Sequence, residues 1–240
     1  MRYWIIAFLL ITSNYAFGQD QTTASATKQE QPLPTAGQVL TMHYFRTYQA
    51  GIRYNDYSIA KHALYNILVE NPQNDSILYS LSVLYFQSKQ YASAALTAQD
   101  VITLNPNNLA AIEIAAVSYE NIGALDKALE TYESLYLKSD DYETLYKVAF
   151  LQYEVKNYAE AKTNADILLG KKEAETLTAT FDVAGGQQKE YPIKVALLNL
   201  KGLIAKDQGK KEEAKTFFQQ ALKLAPDFTM AKDSLAELNK

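Results

Sequence analysis

The residue types that most often carry chemistry are sparse in this chain. Of its 240 residues, two are histidine, His43 and His62, and none is cysteine. Without cysteine there are no disulfides, thiolate metal ligands or cysteine nucleophiles. A pair of metal-binding histidines on one helix stands about three or four residues apart. His43 and His62 stand 19 apart, on different helical stretches, and are expected to be exposed or helix-packing residues. Asp140, Asp141 and Glu143 form an acidic cluster without the ligand spacing and central glycine of a calcium loop. At the start of a helical stretch their expected role is to complement the helix dipole. Gly185-Gly186 lacks the spacing and the strand-to-helix setting of a phosphate loop. Lys210 to Glu213 reads as a solvated helix start. The expectation is a protein that is not an enzyme, with no cofactor and no metal.

Composition narrows the class further. The chain is 48% hydrophobic and 21% charged, within the globular range. Its 23 basic and 27 acidic residues give a formal net charge of −4. A nucleic-acid binder needs a basic face to displace counterions, so nucleic acid is not an expected partner.

The opening MRYWIIAFLLITSNYAFGQD has the three parts of a secretory signal peptide. Arg2 supplies the charge, Trp4 to Ile11 the apolar run, and Ala16 and Gly18 the small residues before Gln19. As a helix the apolar run rises about 12–14 Å, well short of a hydrocarbon core of about 30 Å. Residues 1–18 are therefore expected to be cleaved, leaving no membrane span and a periplasmic or secreted protein. Residues 19–38 are rich in Gln, Thr, Ala and Ser and read as a flexible linker.

The remainder, 39–240, is one unit repeated. Five fragments end in Ala60, Ala94, Ala128, Ala161 and Ala214, at spacings of 34, 34, 33 and 53. The last step exceeds the period by 19 residues, which marks an insertion. Each period holds two helical stretches with apolar residues on one face, joined by a polar turn at Asn55, Lys89, Gly123, Asn157 or Gly209. Pro72, Pro106 and Pro226 follow the second stretch, where proline ends a helix.

In this register the chain resembles the tetratricopeptide repeat (TPR) family from Thr41 to about Asp227. The family pattern spans 34 residues and runs W-x2-L-G-x2-Y…A-x3-F…P. The second repeat reads Leu78, Leu81-Ser82, Tyr85, Ala94, Ala98, Pro106; the fifth reads Leu198, Lys201-Gly202, Ala205, Ala214, Phe218, Pro226. The small slot of the first helix holds Ser82, Ala116, Ala149 and Gly202. In the first repeat Tyr48 stands there, which points to a looser capping unit. Lys201 and Asp140 are minor departures from the pattern. The resemblance implies an all-α, right-handed TPR α-solenoid of five helix-turn-helix repeats. Residues 229–238 would form a C-terminal capping helix.

The insertion, about 172–191, alternates Leu177, Ala179, Phe181 and Val183 with polar residues and then turns at Gly185-Gly186. That is a β-hairpin pattern. It reads either as a surface loop or as an edge on which a partner docks.

First helices line the concave face in the family. That places Phe45, Tyr79, Phe86, Tyr146, Phe150 and Tyr153 along a groove, with Glu113, Glu120, Glu143 and Glu154 nearby. Family members that grip a carboxylate tail use a Lys/Asn clamp, whereas Arg46, Gln49 and Arg53 are what this region offers. The resemblance implies a non-catalytic scaffold binding a protein or peptide with apolar and basic side chains. A glycan-binding envelope module, stacking sugars on the tyrosines, is the alternative.

Overall fold

The computed structural model describes residues 33–183 and 186–238. The expected signal peptide and most of the expected linker lie outside the described residues. Eleven helices are present among them: α1 Ala36–Arg53, α2 Tyr57–Glu70, α3 Asp75–Gln87, α4 Tyr91–Leu104, α5 Leu109–Asn121, α6 Leu125–Ser139, α7 Tyr142–Glu154, α8 Tyr158–Leu169, α9 Ile193–Asp207, α10 Lys211–Leu224 and α11 Thr229–Leu238. Two strands, β1 Thr178–Val183 and β2 Gln187–Pro192, follow a short 3-10 turn at Glu173–Thr176. Helix α1 starts at Ala36, inside the expected linker, directly after Pro34 and Thr35. Proline belongs ahead of a helix interior, not within it.

Each helix packs on its neighbours in the chain, and α3 also touches α5, α7 touches α9, and α9 touches α11. The array is thus a stack of helix pairs with first helices adjacent along one side, as repeat stacking requires. The alanines that mark the period are wholly buried at the helix crossings.

Local chain chemistry explains the boundaries. Asn74, Asn108 and Asp141 cap α3, α5 and α7 by accepting from the amides of Ile77, Ala111 and Thr144 at 3.2, 3.1 and 2.7 Å. Such side chains satisfy amides that have no partner within the helix. Between the two helices of every pair, one residue adopts a left-handed backbone: Asn55, Lys89, Gly123, Lys156 and Gly209, with φ between 51 and 74 for all left-handed residues of the array. The next residue's amide bonds back to a carbonyl five positions earlier, as in Gln90 to Tyr85 at 2.9 Å and Asn157 to Gln152 at 2.7 Å. This is a Schellman closure repeated in every unit. In the fourth unit the left-handed residue is Lys156, one position before the expected Asn157.

The first repeat solves its crossing differently from the others. A Cβ on Gly51 would stand 2.8 Å from the Ala60 backbone nitrogen, so α1 approaches α2 closely at Gly51 and not at Tyr48. The expected looser packing at position 48 is offset three residues later. In the fifth unit the small slot is filled from across the pair. A Cβ on Gly202 would stand 2.4 Å from the fully buried Phe218 ring.

The insertion is an ordered antiparallel hairpin with register Thr178↔Pro192 through Val183↔Gln187. Gly186 turns it at φ 72. The amide of Ile193 donates to Leu177 O at 2.9 Å, closing its base. The hairpin does not hang free: Phe181 and Tyr191 meet Phe228 edge-on at 5.1 and 5.0 Å between ring centroids. Lys189 and Tyr191 both reach the Asp227 carboxylate.

Candidate functional site

Helix α5 puts Glu113, Val117 and Glu120 on one stripe, and α7 puts Glu143, Tyr146, Phe150 and Glu154 on another. The opposite stripes, Ile112 with Ala115 and Ala116, and Leu145 with Val148 and Ala149, are buried between helices. What remains is a groove of about 990 Å³. One side is the two stripes. Its other walls are Tyr132 and Leu135 of α6, residues Thr178 to Phe181 of β1, Ile193 at the start of α9 and Met230 of α11.

The floor is aromatic. Tyr146 and Phe150 stand 4.7 Å apart between centroids, tilted by 49°. Burial raises the Tyr146 hydroxyl above its ordinary range. Burial, and then the hydrogen bond it gives Glu120 Oε2 at 2.7 Å, do the same for Tyr132. The other Glu120 oxygen takes an ion pair from Lys147 at 3.1 Å. Both Glu120 oxygens are therefore engaged. Asp141 is engaged too, accepting the Thr144 amide and hydroxyl, each at 2.7 Å. Glu113, Glu143 and Glu154 form no ion pair among the described residues. The groove thus carries five carboxylates against one lysine.

Its lining is aromatic and acidic. No histidine lines it, and its perturbed tyrosines shift upward, which keeps their hydroxyls protonated. No group of three or more potential metal ligands occurs among the described residues.

Of the residues expected along or beside the groove, Glu113, Glu120, Glu143, Tyr146, Phe150 and Glu154 come together here. The others lie elsewhere. Phe45 is exposed on α1 beside Tyr48 at 6.1 Å. Tyr79 packs against Leu78, Val101 and Ala111. Phe86 meets Tyr91 edge-on at 5.7 Å. Tyr153 lies on Tyr158 at 5.9 Å, and burial with a hydrogen bond to Asp207 pushes its hydroxyl up to about 12. His43 and His62 are exposed.

The hairpin wall is what sequence reasoning did not place. Alternation from Leu177 to Val183 signals the strands, but their position depends on Phe228, far along the chain. Met230 carried no signal of its own.

Two stretches match models of the tetratricopeptide repeat family, residues 52–108 and 195–228. No curated protein matches the sequence. Solved structures do. A tetratricopeptide repeat protein from Parabacteroides merdae is 18% identical, with a TM-score of 0.58, over 83% of this chain and 72% of that one. YrrB, a TPR protein with an unusual peptide-binding site, is 11% identical, with a TM-score of 0.61, over 83% of this chain and 98% of its own. MamA from Desulfovibrio magneticus RS-1 is 13% identical, with a TM-score of 0.55, over 79% of this chain and 97% of its own. At these identities the likeness is one of fold.

Fold and groove together define a helical repeat array with an aromatic, acidic groove against its α5 and α7 helices. Residues 52–108 and 195–228 are matched as tetratricopeptide repeats, the whole array has the fold of TPR proteins, and such repeats typically serve protein–protein interaction.

Proposed function

We propose that the protein is a non-catalytic adaptor of the cell envelope, holding a peptide or protein segment in the groove between α5, α7 and the hairpin. One observation carries the binding reading: an aromatic floor of Tyr146 and Phe150 is rimmed by the unpaired carboxylates of Glu113, Glu143 and Glu154. Such a surface suits a segment with apolar side chains for the floor and lysine or arginine for the rim. The stacked helices hold it in place before binding, so little ordering is needed on association. YrrB, of like fold, has a peptide-binding site, which is in keeping with this reading. The envelope part rests on the opening eighteen residues, whose charge, apolar run and small residues match an export signal.

The test is crosslinking in intact cells with the wild type beside Glu113→Lys/Glu143→Lys. Both side chains are exposed, so the fold tolerates the change. A protein recovered by the wild type and lost from the variant supports the reading. An unchanged set of crosslinked proteins moves the site off the groove. Recovery of envelope glycan without protein turns the assignment to a sugar-binding module. Mass spectrometry of the purified native protein tests export, with a mature chain beginning at Gln19 as the expected result.

A further inference from the structure

The hairpin does not present a face to the groove; it presents an edge. Successive side chains of a strand alternate between two faces, so a face would offer every second residue. Here the four consecutive residues Thr178, Ala179, Thr180 and Phe181 all line the groove, and no residue of β2 does. Among the described residues β1 pairs with β2 on one side alone, in a two-stranded sheet.

The register says which backbone groups are free on that edge. The amide of Ile193 bonds to Leu177 O, so residues 177 and 193 form a hydrogen-bonded pair. Pairs alternate along an antiparallel ladder. Residues 179, 181 and 183 therefore turn their amides and carbonyls to β2, and Thr178, Thr180 and Asp182 turn theirs away from it, the first two within the groove. The position of Pro192 agrees: it lies opposite Thr178, where its missing N–H is not needed by the ladder. An edge of this kind is a template for a further strand.

We infer that the groove's occupant is an extended, basic segment that adds to β1 as a third strand. This rests on the peptide-binding reading above and says how the peptide is held. The main chain of the segment pairs with Thr178, Thr180 and Asp182 over a strand about 20 Å long. Alternate apolar side chains go to the floor of Tyr146 and Phe150. Basic side chains meet Glu113, Glu143 and Glu154, which supply the charge complementarity.

The probe is a fluorescent synthetic peptide of alternating lysine and valine, capped at both ends and titrated with the full chain. Two further peptides carry N-methyl groups on the lysine amides or on the valine amides. One of the two sets faces β1, and methylation of that set removes its hydrogen bonds. The expected result is a loss of at least about tenfold in affinity for one methylated peptide and little change for the other. Thr180→Pro removes an outward amide and spares the ladder, and is expected to lose about as much. Thr180→Val keeps the amide and is expected to bind as the wild type. Equal binding of both methylated peptides overturns strand addition, whatever Thr180→Pro does to folding. Binding that survives in this way but is lost in Glu113→Lys/Glu143→Lys leaves the groove reading standing. Failure of the wild type to bind the unmodified peptide overturns the strand inference outright. The crosslinking experiment then judges the groove by itself.

Discussion

Left-handed residues are the smallest features that this sequence repeats. Gly123 and Gly209 fill two of the five interhelix turns, where a residue without Cβ adopts positive φ freely. Lys89 and Lys156 fill two others and carry a steric penalty there. Replacing Lys89 or Lys156 by glycine is expected to stabilise the protein by about 0.5–1 kcal/mol each, the reverse of what glycine does inside a helix. Gly123→Ala meets no neighbouring atom, so its expected loss of about 1 kcal/mol is a backbone effect alone. Urea unfolding midpoints of the single variants check both signs, and a destabilised Lys89→Gly would contradict the turn geometry. This level was legible in the chain: a polar turn before each buried alanine marks the spot, with glycine or asparagine in every turn but that at Lys89. In the fourth unit Asn157 carries the polar-turn signal, although the left-handed backbone is at Lys156. Asparagine and lysine side by side leave that choice to the hydrogen-bond closure, which composition does not encode.

Helices and strands were legible to different degrees. Helix pairs follow from periodicity within about one turn of sequence, so their existence and order could be read directly. Slot residues were less transparent, because a slot is shared by two helices. Gly202 stands where the family is small, but its reason is the ring of Phe218 on the neighbouring helix. Gly202→Ala is expected to destabilise by about 1–3 kcal/mol through overpacking, and the added Phe218→Leu change should recover part of that loss. A double-mutant cycle measured by chemical denaturation checks it; simple additivity would mean that the two sites do not share the space. The groove was half legible for the same reason. Glu113, Glu120, Tyr146 and Phe150 share a helical register that sequence displays. Tyr79 and Phe86 share it too, yet pack against neighbouring helices. The wall of β1 could not be read, since Phe181 and Tyr191 find Phe228 across a helix pair.

At the scale of the whole molecule the tyrosines set the response to alkali. Tyr85, through burial and its hydrogen bond with Tyr65, and Tyr153, through burial and Asp207, have hydroxyls pushed up to about 12. Burial raises Tyr146, and burial with Glu120 raises Tyr132. Free tyrosine ionises at about 10, so the unfolded chain sheds protons first as pH rises. The stability held by these groups is complete below about pH 10 and falls as pH climbs toward about 12. Urea midpoints across that window are expected to decline. Tyr146→Phe should flatten the decline, because burial alone raises that hydroxyl. A midpoint that holds level through the window would mean that the rings ionise in the folded state.

Leu177 and Ile193 meet through one backbone hydrogen bond of 2.9 Å, so the hairpin leaves the array and returns to it at nearly the same point. The repeats on either side need only each other to stack. A segment joined in this manner is a cassette. It can be lengthened at its tip or exchanged for another wall while the helical spine keeps its register, so long as the replacement covers Phe228 as Phe181 and Tyr191 do. Proteins built on such a spine can then diversify by exchanging walls, with the stack inherited unchanged.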